Sequence, residues 1–199
     1  GSTLLRQIHQ QKDYVQNYLK LRIKVVGICN SKKMIFHADG LDLTSWEQKL
    51  EIGQTATPMD FFEQTRAMNL RNSVFVDVTA NKTVAATYEH YLKESTAVVA
   101  CNKIACSGPV EYYKKLKKLS IQYNTPLLFE TNVGAGLPVI DTLNHLVASG
   151  DQIQAISAVL SGSLNFIFNN YDGSKKFSAV VKQAQLEGYT EPDPRIDLS

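Results

Sequence analysis

Apolar residues follow two rhythms along this chain. Spacings of three and four mark one face of a helix, and short alternating or continuous runs mark a strand. Leu4, Leu5 and Ile8 share a helical face at the start. Leu21, Ile23 and Val25 alternate and then run continuously apolar to Cys29, which predicts a buried strand over 21–29. Thr44-Ser45-Trp46-Glu47 has the spacing of a capping box and predicts a short helix to Glu51. Thr57-Pro58 opens another that carries Phe61, Phe62 and Met68. Ser73 to Thr79 reads as a short buried strand whose end offers Asp77 and Thr79. Asn81 to Lys93 reads as a helix with Val84, Ala85, Tyr88 and Leu92 on its inner face. Thr96 to Ala100 is the next strand, stopping at Cys101-Asn102-Lys103. Gly108-Pro109 opens a helix through Tyr123, and Pro126 to Phe129 is again strand-like.

Strand and helix at this cadence predict an α/β fold: a Rossmann-like parallel sheet with crossover helices, whose ligands gather at the carboxyl ends of the strands. Thr79, Asn102, Lys103 and Glu130 all fall at such ends. The stretch Glu130-Thr131-Asn132-Val133-Gly134-Ala135-Gly136-Leu137-Pro138 reads as a strand end, a glycine-hinged loop and a helix start set by Pro138. Gly134 and Gly136 there permit backbone angles that turn carbonyl oxygens inward, towards a ligand or a hard cation.

Beyond the helix at 139–147 the pattern changes. Ile153 to Leu160 alternates as a strand of a new sheet would, and Ser161-Gly162-Ser163 breaks it. A short helix at 164–168, a turn at Asp172-Gly173-Ser174 and a helix at 178–187 stopped by Gly188 follow. The closing run from Gly188 to Asp197 packs Glu191, Asp193 and Asp197 with Pro192, Pro194 and Arg195. Two prolines predict a stiff, extended segment in which a carboxylate pair could clamp an ammonium group. The division of domains is expected near 134–138: residues 1–136 form the nucleotide-binding part, and 137–199 part of an α+β substrate and dimerisation domain.

Composition narrows the choice. At 199 residues, 44% hydrophobic and 20% charged, the chain can bury a full core, and a net charge of +2 gives no footprint for nucleic acid. No apolar run approaches the roughly 20 residues that span a membrane. Cys29, Cys101 and Cys106 are odd in number without metal spacing, which favours a reduced, cytoplasmic setting over a disulfide framework. In a dinucleotide-binding fold the end of the second strand faces the adenosine ribose. Asn30-Ser31-Lys32-Lys33 offers no acid there, but a hydroxyl and two ammonium groups that suit a 2′-phosphate, so NADP is favoured over NAD.

With these segments in hand the chain resembles homoserine dehydrogenase, most of all the dehydrogenase portion of fused aspartokinase–homoserine dehydrogenases. The resemblance is carried by Glu130 to Pro138, by Leu160-Ser161-Gly162-Ser163-Leu164 and by Gly188-Tyr189-Thr190-Glu191-Pro192-Asp193-Pro194-Arg195. Asn102-Lys103 and Gly27-Ile28-Cys29-Asn30-Ser31-Lys32 also fit. The resemblance implies NAD(P)-dependent interconversion of L-aspartate 4-semialdehyde and L-homoserine, on the route to threonine and methionine. It implies cofactor contacts from Gly1, Ser31, Lys32, Thr79 and Lys103, with Lys103 also beside the reacting carbonyl. A monovalent cation, typically sodium, is implied beside the Glu130 side chain and the carbonyls of Val133, Ala135 and Leu137. Ser163, Tyr189, Glu191 and Asp197 are implied to line the amino-acid pocket, Glu191 facing the substrate ammonium. A homodimer with 153–160 near its interface is implied as well.

In the family a Gly-x-Gly-x-x-Gly cradle lies just before the first helix, and only its last glycine corresponds to Gly1. A helix bearing an aspartate and a lysine follows the position of Ser199. The segment alone is therefore expected to be an incomplete catalyst, since a missing acid/base group costs a factor of roughly 10² to 10⁴. Two other readings remain: a non-catalytic folding or dimerisation module of the same descent, and an aspartate semialdehyde dehydrogenase, which needs a nucleophilic cysteine.

Overall fold

The computed structural model describes residues 1–191 and 193–198. The chain divides into two compact units, Gly1–Leu128 and Phe129–Ser199.

The first unit begins with helices α1 (Ser2–Gln10) and α2 (Lys12–Asn17). A small antiparallel sheet follows, made of β1 (Gly27–Cys29), β2 (Lys33–Phe36) and β3 (Gln54–Thr55), with α3 (Trp46–Glu51) between β2 and β3. The strand expected over 21–29 is thus confined to its last three residues, and it joins an antiparallel hairpin rather than the parallel sheet. The reason is local. Asn30 Oδ1 accepts the amides of Lys32 and Lys33, each at 2.8 Å, and the Asn30 amide donates to the Lys33 carbonyl, so the chain turns back at once. Leu21 and Ile23 are left exposed.

At Thr44 the expected capping box does not form. Asp42 takes the amide and hydroxyl of Thr44 and the hydroxyl of Ser45, and these bonds hold its carboxyl at about 2. A true box starts α4 (Pro58–Met68), where Thr57 and Asp60 cap each other.

The parallel sheet consists of β4 (Val74–Asp77), β5 (Ala97–Ala100) and β6 (Leu127–Leu128) in that order. β5 is central and buries Val98 and Ala100. β4, expected to be buried throughout, leaves Val74 and Val76 exposed. Between β4 and β5 the predicted single helix is broken in two, α5 (Lys82–Ala85) and α6 (Tyr88–Lys93), where the Thr87 hydroxyl and amide both turn to the Val84 carbonyl. A short helix α7 (Ile104–Ser107), which the pattern did not signal, precedes α8 (Val110–Gln122).

The core is aromatic. Phe75 stacks on Tyr91 at 4.0 Å, Tyr91 meets Phe62 edge-on, and Phe61 links Phe75 to Phe36 of the antiparallel sheet. Leu92 and Leu116 close the space where α6 and α8 pack together.

The second unit opens with a 3₁₀ turn at Glu130–Asn132 and continues as α9 (Ile140–Ala148), α10 (Gly162–Asn170), α11 (Phe177–Leu186) and α12 (Arg195–Leu198). Ile167, Val180 and Ala184 form its core, with Phe166 and Val181 against them. Gly188 adopts φ +79°, so that the Tyr189 amide reaches back to the Ala184 carbonyl and ends α11. The strand expected at 153–160 is absent among the described residues: the segment carries no ladder and is exposed throughout. Alternation specifies a strand only where another strand offers its edge, and no strand is described in this unit. The end of the chain, read as extended, turns into α12 after Pro194, a ring compatible with a first helical turn. Pro192, expected to stiffen this run, lies outside the described residues.

One ion pair across α6 and α8 has a pH signature. Lys115 Nζ lies 2.5 Å from Glu89 Oε2, and Lys93 lies 3.6 Å away. The bond from Lys115 is the main reason that the Glu89 carboxyl sits below its ordinary 4.5, against the opposing effect of desolvation. A folded value below the unfolded one stabilises above the unfolded value and is lost as pH falls through the folded one. Glu89→Gln should therefore lower stability at neutral pH, and its effect should fade as pH falls through and below the ordinary carboxylate range, as urea unfolding at a series of pH values would measure.

Candidate functional site

In the first unit the chemistry-bearing residues gather at the carboxyl end of the parallel sheet. Asp77, the last residue of β4, is 1% exposed and its carboxylate accepts three donors. The Thr79 amide reaches Oδ1 at 2.8 Å, and Oδ2 takes the Tyr88 hydroxyl at 2.6 Å and Asn102 Nδ2 at 3.0 Å. Burial first, and this bond second, push the Tyr88 phenol far above its ordinary range. Asn102, equally buried, also donates to the Asn81 carbonyl at 3.0 Å and accepts the Ile104 amide at 3.1 Å. Thr79 and Lys103 flank this network and are exposed. The start of α1 is on the same side, since a Cβ on Gly1 would meet Val78 Cγ2 at 3.5 Å.

Of the residues implied to hold a cofactor, Gly1 and Thr79 are therefore neighbours of the same strand end, and Lys103 stands on the next loop. Ser31 and Lys32 occupy the exposed tip of the β1–β2 hairpin instead of the end of a parallel strand. Sequence reasoning took Tyr88 only for a core residue. The available signal was the phenol itself, because a buried hydroxyl needs a partner and an acid ended the preceding strand.

In the second unit Glu130 spans the hinge loop. Its two carboxylate oxygens accept the amides of Ile140 at 2.9 Å and Asp141 at 2.7 Å, so it caps α9, a role that Pro138 had seemed sufficient to fill. Gly134 and Ala135 are both left-handed, at φ +71° and +51°. For alanine that conformation costs roughly 1–2 kcal/mol, and it rotates successive carbonyls of the loop. The donor set here is oxygen only, which fits a hard cation, and each carboxylate oxygen keeps a second lone pair beyond its bond to the helix. Among the described residues no group of three or more His, Cys, Asp or Glu could hold a metal ion.

The same unit draws together Ser163, Glu191 and Asp197. Asp197 Oδ1 accepts the Ser163 hydroxyl at 2.7 Å, and Oδ2 accepts the Glu191 amide at 2.8 Å. Ser163 is buried in the first turn of α10, which Ser161 caps. Tyr189 stacks on Phe166 at 4.3 Å. Asp193 is engaged by Arg195, whose hydrogen bonds hold its carboxyl at about 2, so it is not half of an ammonium clamp.

The cysteine rival loses ground. Cys29 is exposed as a residue, yet desolvation first and Asp77 second push its thiol up to about 11, leaving no thiolate at neutral pH. Among the described residues no helix is long and apolar enough to cross a membrane.

A parallel sheet with crossover helices and polar groups at its carboxyl ends places the first unit among α/β proteins that bind ligands at the ends of their strands. Known proteins sharpen this class. The family model described as the homoserine dehydrogenase NAD binding domain matches residues 1–130, and that described as homoserine dehydrogenase matches 138–199. The bifunctional aspartokinase/homoserine dehydrogenase 1 of Zea mays is 41% identical over all of this chain and 22% of its own length. The homoserine dehydrogenase of Schizosaccharomyces pombe is 33% identical over all of this chain and 55% of its own. A hyperthermophilic archaeal homoserine dehydrogenase solved in complex with NADPH superposes with a TM-score of 0.77 at 25% identity, over 98% of this chain and 60% of that one. The chain belongs to the homoserine dehydrogenase family. It spans about a fifth of the length of the bifunctional relatives.

The cap on α9 is testable. An amide has one acceptor where the carboxylate has two, so Glu130→Gln should expose one of the two amides and weaken α9 by about 1 kcal/mol. Faster amide exchange at Ile140 or Asp141 is the expected readout.

Proposed function

We propose that this chain forms the nucleotide-binding part and the beginning of the substrate part of a homoserine dehydrogenase acting on L-aspartate 4-semialdehyde and L-homoserine. The observation that carries this reading is the hydrogen-bonded set Ser163, Asp197 and Glu191, in which Ser163 meets a carboxylate 34 residues further along the chain that also holds the Glu191 amide. Ser163, Tyr189 and Asp197 line the amino-acid pocket and Glu191 faces the substrate ammonium. Asp197 holds the Glu191 backbone and the Ser163 hydroxyl in place.

Gly1 and Thr79 contact the cofactor at the end of β4. Ser31 and Lys32, at the hairpin tip, take its 2′-phosphate, so NADP is used in preference to NAD; an exposed tip with ammonium groups suits a dianion even outside the parallel sheet. When bound, the nicotinamide supplies the hydride that reduces the aldehyde. Lys103 stabilises the alkoxide that develops on the carbonyl oxygen and supplies its proton. Glu130 with the carbonyls of Val133, Ala135 and Leu137 holds a sodium ion that stiffens the hinge loop.

The chain pairs with a second copy through 153–160, where Ile153, Ile156, Val159 and Leu160 are exposed. A segment with strand alternation and no edge to pair with in its own unit finds one in another copy. A reducing compartment, the cytoplasm on this reading, keeps its three cysteines out of disulfides.

NADPH should raise the melting temperature of the protein and NADH should do so less. Lys103→Ala should lower kcat for NADPH oxidation by the semialdehyde by roughly 10² to 10⁴ with the fold retained. A protein whose melting temperature and fluorescence ignore both NADPH and NADP⁺ is instead the non-catalytic module. Sedimentation should show a dimer, and a monomer at high concentration would refute the pairing.

A further inference from the structure

The bonds around Asp77 join three segments, the loop after β4, α6 and the loop after β5, through two side chains. Asp77 holds the Thr79 amide and the Tyr88 hydroxyl. Asn102, bonded to the same carboxylate, holds the Asn81 carbonyl and the Ile104 amide. The loop after β4 and the loop after β5 are thus tied to one buried anion, and Thr79 and Lys103 ride on those loops. Asn81 extends the tie by capping α5 through the Thr83 and Val84 amides.

A surface carboxylate would serve β4 equally well as a strand end. A carboxylate 1% exposed is costly to bury unless every donor it needs is built around it, and here they are. The donors come from three different elements, so satisfying Asp77 fixes those elements relative to one another. Tyr88 contributes most directly: its bond is the shortest of the three, and its phenol, pushed upward by burial, stays a donor at any working pH.

We infer that Asp77, through Tyr88 and Asn102, is a positioning residue that sets the two loops bearing Thr79 and Lys103 in the arrangement that receives the cofactor. The inference rests on the proposed function for the identity of the ligand, although not for the tie between the loops.

Asp77→Asn keeps size and shape but supplies one acceptor and one new donor against three donors, so at least one bond must fail. Tyr88→Phe removes a single donor and leaves the ring. In both variants amide exchange at Thr79 or Ile104 should accelerate about tenfold or more, with Val98 and Val99 of β5 unchanged, and the Kd for NADPH should rise by a similar factor. Where Asp77→Asn does not fold, Tyr88→Phe decides by the same readouts.

Unchanged exchange at Thr79 and Ile104 overturns the inference. So does a uniform acceleration through the whole unit, which marks a merely structural group, or an unchanged NADPH affinity in a variant whose loops exchange faster. Failure of the unaltered protein to bind NADPH sinks the proposed function instead, while exchange at the two loops still decides whether Asp77 ties them.

Discussion

A charge taken out of water has to be met by donors, and in the first unit that requirement falls on Asp77. Its strand is short and half open: Val74 and Val76 face solvent, and β4 has only β5 beside it among the described strands. Hydrophobic burial alone would leave the end of such a strand loosely placed. Three donors converging on one carboxylate replace that missing burial with directional bonds, which specify position more narrowly than apolar contact does. The loops that follow β4 and β5 inherit their geometry from it.

The second unit uses the same device twice at smaller scale. Asp197 accepts a hydroxyl from α10 and an amide from the chain just before α12, so one carboxylate brings Ser163 and Glu191 to the same place. Glu130 accepts two amides at the start of α9, where the helix dipole favours negative charge. A cation at the hinge would share this carboxylate with the helix and so would couple the loop to α9. In each case an acid that looked like a ligand-binding group in the sequence has a structural duty, one that leaves lone pairs over because a carboxylate has about four lone-pair sites.

Scaffold and site are therefore not separate layers in this protein. The aromatic core from Phe36 through Phe61, Phe75 and Tyr91 to Phe62 welds the antiparallel hairpin, α4 and the parallel sheet together. Asp77 and Tyr88 sit at the end of that same core, and the buried phenol links packing to the polar network.

Periodicity by itself determined the long helices, the strands of the parallel sheet and the place of Thr79, Asn102 and Lys103 at strand ends, because those features depend on residues near one another in the chain. The motifs from Glu130 to Pro138 and from Gly188 to Arg195 determined the family for the same reason. Tertiary structure decided what depends on distant partners. It left 153–160 without a ladder for want of a neighbouring edge, whereas the hairpin at 27–36 and the helix break at Thr87 are local, made by side-chain bonds at Asn30 and Thr87 that apolar periodicity does not register. The lost capping box at Thr44 is local too, because Asp42 takes the hydroxyls of Thr44 and Ser45. Tertiary structure set Asp197 on Ser163 from another helix, since a carboxylate's distant partners are fixed only when the donors of other elements arrive beside it, while Asp193 is engaged by Arg195 two residues along.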